Sequence, residues 1–521
     1  MRHWIAALLL AGGMFVGQAP AQKKEVSVPF HNPILFADYS DPDVIADGGK
    51  YYLVASTFHY VPGIPILEST DLVHWTILGH AVDRVTLAPQ YDLVDGNRYG
   101  AGIWAPAIRK HNGTYFIYFP TPDEGIFVTT AKSIRGPWSK PVAVIAQAKL
   151  EDPCPFWDDD GNAYLIHSRK GAGPLILHRM SPDGLHVLDE GKVIVDDPKN
   201  LHTLEGPKMY KRNGWYYIFA PYGGVGTGAQ AVMRSKNVWG PYDYRTVLAQ
   251  GNTEINGPHQ GGYIETPDGK GWFIHFQKRD SHGRILHLQP VRWEDDWPIM
   301  GDALAGATQG TPVASGEVTV PRASVGKGSP QTSDEFTAKT LGPQWEWNHN
   351  PDNAIWSLTK RRGYLSLTPS VAMDLFTAHN TLTQQMQDNN LEATVRLDVT
   401  KLPSSGHAGF SMFEKAAGGV EITANAQGKR QLFFFHGTDR VAGPELTRGV
   451  IDLRVTVHGD MAAYAYSTDN GTNFQPLGTE TKMTFSWWKG TRPAIFAYRT
   501  SANGDAGCVD VDWFHYRALN Q

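Results

Sequence analysis

Five times before residue 280, a glycine leads within two residues into a run of aromatic and β-branched side chains. The copies are Gly49-Lys50-Tyr51-Tyr52-Leu53-Val54, Gly113-Thr114-Tyr115-Phe116-Ile117-Tyr118, Gly161-Asn162-Ala163-Tyr164-Leu165-Ile166, Gly214-Trp215-Tyr216-Tyr217-Ile218-Phe219 and Gly269-Lys270-Gly271-Trp272-Phe273-Ile274. Their glycines stand 64, 48, 53 and 55 residues apart. A turn feeding a buried strand at that period predicts the blades of a β-propeller. A second, outer repeat supports the reading as blades: Ala131-Lys132-Ser133-Ile134-Arg135-Gly136-Pro137-Trp138 is echoed by Arg234-Ser235-Lys236-Asn237-Val238-Trp239-Gly240-Pro241-Tyr242. Helical periodicity nowhere outlasts two turns between Val28 and Pro298. From Ala303 to Thr332 the chain shifts to Gly, Ala, Ser, Thr, Val and Pro, the composition of a linker or lightly structured crossover. Beyond it, Leu391-Glu392-Ala393-Thr394-Val395-Arg396-Leu397 and Ile451-Asp452-Leu453-Arg454-Val455-Thr456-Val457 alternate apolar and polar positions, the mark of half-buried strands. The expected fold is all-β: a propeller over 28–302, a linker over 303–332 and a concanavalin-like β-sandwich over 333–521.

Composition adds exclusions. With 41% hydrophobic and 19% charged residues the chain reads as folded and soluble, and 521 residues call for two or three domains. The net charge is −5 with no basic stripe, so nucleic acid is not an expected partner. Arg2 and His3 precede an apolar run from Trp4 to Val16, and Ala19-Pro20-Ala21 supplies small residues for cleavage. This predicts a signal peptide over 1–21 and an exported protein. The run is too short to remain in a bilayer, and no membrane partner is expected. The only cysteines, Cys154 and Cys508, fall in different domains and are expected as two buried free thiols.

The chemistry follows from the repeat. Blades start at the central axis, so residues just ahead of each innermost strand meet at one mouth of the channel. Those positions read Ser40-Asp41-Pro42-Asp43, Trp104-Ala105-Pro106-Ala107, Glu151-Asp152-Pro153-Cys154, Leu204-Glu205-Gly206-Pro207 and Asn256-Gly257-Pro258-His259. Each carries a proline that fixes the backbone beside it. Taken singly, Asp-Pro and Glu-Gly-Pro are ordinary turn residues. Three carboxylates in register are different, because crowding and burial raise at least one pKa and let a site hold a protonated acid beside an ionised base. Glycoside hydrolysis needs such a split pair. Asp43 competes with Asp41 for the role at its motif, and Glu151 with Asp152. Strand alternation predicts that only one of Glu151 and Asp152 faces the pocket.

On these motifs the chain resembles glycoside hydrolase family 43, in its β-xylosidase and α-L-arabinofuranosidase branch with a C-terminal sandwich. Asn32-Pro33-Ile34-Leu35 with Tyr39-Ser40-Asp41-Pro42-Asp43 is similar to the family's opening motif, Glu151-Asp152-Pro153 to its second, and Glu205-Gly206-Pro207-Lys208-Met209-Tyr210 to its third. The resemblance implies Asp41 as general base, Glu205 as general acid and Asp152 as the residue that tunes and orients the acid. It implies an inverting, exo-acting enzyme that releases xylose or arabinose from hemicellulose-derived xylo- or arabino-oligosaccharides, with β-1,4-xylosidase activity favoured and α-L-arabinofuranosidase activity as a second. Inversion expects the two carboxyls about 6.5–9.5 Å apart. His259 matches a histidine of the pocket floor, with a hydrogen-bonded structural histidine as the alternative, and Arg284 an arginine that contacts sugar hydroxyls or the acid, with a surface salt bridge as the alternative. The competing expectation is a sugar-binding propeller and sandwich without catalysis.

Phe58 and Trp104 are candidates for pocket walls, since sugar C–H faces pack on aromatic rings, or for blade core. No cofactor is needed for the chemistry. Asp334-Glu335 and Asp510-Val511-Asp512 bracket the sandwich, so Asp334 and Asp512 are candidate ligands for a structural Ca²⁺, with solvated acids as the alternative.

Overall fold

The computed structural model describes Met1 and residues 25–519; the expected signal peptide therefore lies, past Met1, outside the described residues. Five four-stranded antiparallel sheets follow one another in the chain. Their innermost strands are Asp43–Asp47, Ala107–His111, Leu150–Trp157, Lys208–Arg212 and His259–Glu265. Their outermost strands are Trp75–Val82, Val142–Ile145, Lys192–Val195, Asp243–Ala249 and Trp297–Met300.

The glycine-aromatic repeats are the hairpins between first and second strands. Arg212 pairs with Trp215 across the two-residue loop Asn213-Gly214, whose φ values of 51° and 69° are those of a type I′ turn. Such a turn suits the right-handed twist of the strands, and the glycine takes its second position without steric cost. The second strands are buried on both faces because each blade packs against two others. In the first blade Tyr52 and Val54 join a cluster with Ile108, Ile117 and Phe119 of the second, while Leu53 and Ala55 face Ile274, Phe276 and Leu288 of the fifth. Each of the five seams between blades thus has its own apolar core.

No blade borrows a strand from another. Outside the blades, Glu25–His31 pairs antiparallel with Ser315–Pro321, and Val28, Phe30, Val318 and Val320 add to the seam between first and fifth blades. The strand ahead of the first blade thus starts before Val28, and the stretch 303–332 contains a strand, as a lightly structured crossover can. Val318 and Val320 do alternate with polar neighbours, but so short a signal is submerged in small residues.

The sandwich stacks an eight-stranded on a nine-stranded sheet. Leu391, Ala393, Val395 and Leu397 of strand Asn390–Asp398 point into its core, as do Ile451, Leu453, Val455 and Val457 of strand Val450–His458. Cys154 and Cys508 are buried and free. Among the described residues no helix is long and apolar enough to cross a membrane.

The two domains share a sheet. The first-blade strand Tyr60–Val61 joins the nine-stranded sheet, pairing with Asn348 and Trp347. Beside it Arg492, 1% exposed, places Nη1 2.5 Å from Glu346 Oε2 and its guanidinium 3.7 Å from the Tyr60 ring centre. His80 of the first blade reaches the other Glu346 oxygen at 3.2 Å. Burial pushes the Glu346 carboxyl up, but Arg492 and His80 outweigh it and hold the group down at about 2. A depressed carboxyl stabilises the fold above its unfolded pKa, near 4.5, and that contribution is lost as pH falls through about 2. Arg492→Leu leaves Glu346 buried without its main partner and is expected to lower stability by about 3–5 kcal/mol in urea denaturation at neutral pH. An unchanged midpoint contradicts that.

Candidate active site

Residues at the starts of the third, fourth and fifth blades come together, Asp152 with Glu205, His259 with Glu205 and Gln260 with Asp152, but not in simple register. Asp41 and Asp152 each precede a proline and each adopts a left-handed backbone, φ 54° and 56°. Aspartate tolerates that region better than most residues. In the fourth blade the same place, ahead of Pro207, is held by Gly206 at φ 59°, and Glu205 sits one residue earlier. A side chain at 206 has no room: a Cβ there would lie 2.8 Å from the Gln260 side chain. Gln260 in turn donates to Asp152 Oδ1 at 3.3 Å.

Asp41, 5% exposed, is held from two sides. Ser56 Oγ donates to Oδ2 at 2.6 Å, and Arg284 Nη1 binds Oδ1 at 2.6 Å. Asp152 repeats part of this arrangement, with Ser168 Oγ at 3.1 Å and the Gly206 N–H at 2.8 Å on Oδ2. Ser168 is next to last in the second strand of its blade, Ala163–Arg169, and Ser56 lies two residues past the second strand of its own, Lys50–Val54. Glu205 receives His259 Nε2 on Oε1 at 2.6 Å, and its own N–H donates to Pro221 O at 3.1 Å. Its side chain keeps 21% exposure, whereas that of His259 has none.

Glu151, Asp152 and Glu205 bring carboxylate oxygens within 4.8 Å of one another. This corrects the expectation that Glu151 and Asp152 face opposite ways. The strand bulges between Glu151 and Cys154, and the left-handed Asp152 turns the chain, so alternation fails there. Burial first, then the charge of Asp152, raises the Glu151 carboxyl. Burial and Glu205 raise that of Asp152, against the pull of Lys208 and the Gly206 N–H. Among the described residues this trio is the one group of three with reach for a cation. Its oxygens already receive protein donors: Ala172 N–H on Glu151, Ser168, Gly206 and Gln260 on Asp152, and His259 on Glu205.

Asp43 lies outside the constellation. Its Oδ2 takes the Ile108 N–H at 2.9 Å and Arg109 Nη1 at 2.7 Å, tying the first blade to the second. Phe58 is buried at 2% exposure, its ring centre 5.8 Å from that of Trp104. Trp104 is half-buried and lines a pocket of about 540 Å³ with Tyr99, Lys170, Phe485, Trp487 and Trp488. Asp334 spends its carboxylate on the Phe336 N–H and the Trp345 indole, each at 2.8 Å. Asp334 and Asp512 enter no group of three metal-binding side chains among the described residues.

Four features of the site escaped the sequence: Ser56, Ser168, Gln260 and the sandwich loop 485–490. The serines follow the repeat, each two residues after its copy at 49–54 or 161–166, and a longer register would have found them. The loop has no repeat partner and leaves no such signal.

The profile described as "Glycosyl hydrolases family 43" matches residues 30–298, and that described as "Beta xylosidase C-terminal Concanavalin A-like domain" matches 333–517. The chain is 42% identical to a Xylanibacter ruminicola protein that carries a beta-xylosidase name, over 87% of this chain and 84% of that one. It is 28% identical to the non-reducing end alpha-L-arabinofuranosidase BoGH43B of Bacteroides ovatus, over 100% of both. A bifunctional GH43-CE structure from Bacteroides eggerthii superposes with a TM-score of 0.84 at 30% identity; the match covers 95% of this chain and 64% of that one. The chain is a glycosyl hydrolase and belongs to family 43.

Proposed function

We propose that the protein is an inverting, exo-acting β-1,4-xylosidase, exported through its N-terminal apolar segment, with α-L-arabinofuranosidase activity as a second function. One observation carries the mechanism: the opposed settings of Asp41 and Glu205. A guanidinium and a hydroxyl hold Asp41 as an acceptor, suited to a general base. Glu205, more exposed, is oriented by His259 through Oε1, which leaves Oε2 for the leaving oxygen. Water attacks the anomeric carbon as Asp41 takes its proton, and Glu205 delivers a proton to the departing oxygen. Asp152 acts through the Gly206 N–H, fixing the peptide that follows Glu205.

The sugar assignment draws on the relatives' names, which divide between xylosidase and arabinofuranosidase. Exo action draws on the sandwich loop, whose Phe485 ring centre lies 6.0 Å from the guanidinium of Arg284, the partner of Asp41, and whose Trp487 and Trp488 line a cavity with Trp104. The binding-only alternative gives way with membership of a hydrolase family. Proton NMR during cleavage of xylobiose tests the mechanism: α-xylose appears first if the enzyme inverts, and β-xylose appearing first overturns inversion. Product analysis on xylobiose, arabinoxylan and arabinan, run side by side, tests the sugar. Pentose from arabinan alone would reverse the order of the two activities.

A further inference from the structure

Asp41 lies between two stretches of propeller backbone that a side chain from the other domain pins together. Lys489, on the sandwich loop, is 1% exposed. Its Nζ sits 3.0 Å from Asp38 Oδ2, donates to the Asp38 carbonyl at 2.7 Å and reaches the Ser56 carbonyl at 3.3 Å. Asp38 opens the turn that ends in Asp41. Ser56 is the residue whose hydroxyl binds Asp41, and its N–H donates to the Ser40 carbonyl at 2.9 Å. One ammonium group therefore clamps both segments that aim the carboxylate.

Asp38 spreads the clamp further. Its Oδ1 takes the N–H of Arg284 at 2.9 Å and the hydroxyl of Ser40 at 2.8 Å, and its Oδ2 takes the Gly490 N–H at 2.8 Å. Arg284 is the residue whose guanidinium binds Asp41. Every side-chain donor on Asp41 is thus one step from Lys489 or from its partner carboxylate.

The loop that carries Lys489 is firmly built. Trp487 and Trp488 both adopt left-handed backbone, φ 54° and 66°, a geometry that bulky residues keep only where their surroundings impose it. Trp487 stacks on Tyr99 with ring centres 4.2 Å apart, and the Thr491 N–H donates to the Ser281 carbonyl at 2.7 Å. The loop is anchored to the propeller on both sides of Lys489.

We propose that Lys489 is a positioning residue for Asp41, supplied by the sandwich to a site otherwise made by the propeller. This rests on Asp41 being the base. Lys489→Met alone strands the buried Asp38 charge and risks unfolding, so the decisive comparison is Asp38→Asn against Asp38→Asn/Lys489→Met in the full-length protein. Neither variant leaves an unpaired buried carboxylate. Adding Lys489→Met is expected to cut kcat by on the order of 10- to 100-fold, the scale for a small misplacement of a reacting group, with KM changed less than about threefold. The loss should be equal for xylobiose and for an activated aryl xyloside, because the base acts on water whatever the leaving group. Assays are run well below each variant's melting temperature, with kcat expressed per folded molecule by near-UV circular dichroism. Equal kcat in the two variants overturns the proposal. So does a loss that disappears once rates are expressed per folded molecule, or one confined to a single leaving group. Asp41→Asn serves as the control: if it retains full activity, the assignment of the base fails instead.

Discussion

Glu205→Gln is expected to lower turnover of xylobiose by about 10³-fold while leaving 2,4-dinitrophenyl β-xyloside within about tenfold of the native enzyme. A sugar leaving group is a poor one and needs a proton as the bond breaks; dinitrophenolate leaves unaided. Glutamine keeps the shape of the side chain and still meets His259 at 2.6 Å spacing through its carbonyl oxygen, but it has no acidic proton to give. About 10³ in rate corresponds to about 4 kcal/mol of transition-state stabilisation, within the range of a single general acid. Binding of xylose should be unchanged. Equal losses on both substrates would remove Glu205 from the acid's role.

Asp41→Asn should give the complementary signature, a fall of about 10³- to 10⁴-fold on every substrate whatever its leaving group. The amide keeps an acceptor for Ser56 or Arg284 but has no basicity with which to take a proton from water. It also deprives Arg284 of its counter-charge in a site where both side chains are less than a tenth exposed. A modest loss of melting temperature is therefore expected alongside the kinetic effect, and the rate must be read well below that temperature. Turnover of the activated aryl xyloside settles the matter. If it survives in Asp41→Asn, the base lies elsewhere.

The propeller was legible because its blades repeat one physical problem. Each must turn from the axis and send a strand between two neighbours, and Gly49, Gly113, Gly161, Gly214 and Gly269 mark the places where it does so. The same periodicity led to Asp41, Asp152 and Glu205, although it treated as equivalent positions that differ by a residue at Gly206. It failed where geometry departs from the repeat. Glu151 joins the acids because a bulge breaks the alternation that should have turned it away. The strand at Ser315–Pro321 was hidden by small residues whose pairing partner lies 290 positions back, as Ser27 and Glu317 show by their hydrogen bond. Lys489 was beyond reach for a related reason. It acts once, in a loop, on a residue 451 positions away, and no local pattern encodes a contact of that kind.

The strand Tyr60–Val61 has a consequence for how the molecule is made. It is laid down early, yet its partners Trp347 and Asn348 emerge only after the whole propeller has been synthesised. Until then this stretch of the first blade has an unpaired edge, the kind of surface that invites pairing with a stray strand. Because domains tend to fold in order from the N-terminus, the propeller must keep that edge covered or short while it waits. Two residues is about as short as an edge strand can be. The brevity of the shared strand thus suits a chain that must hold a docking point open for nearly three hundred residues without sticking to its neighbours.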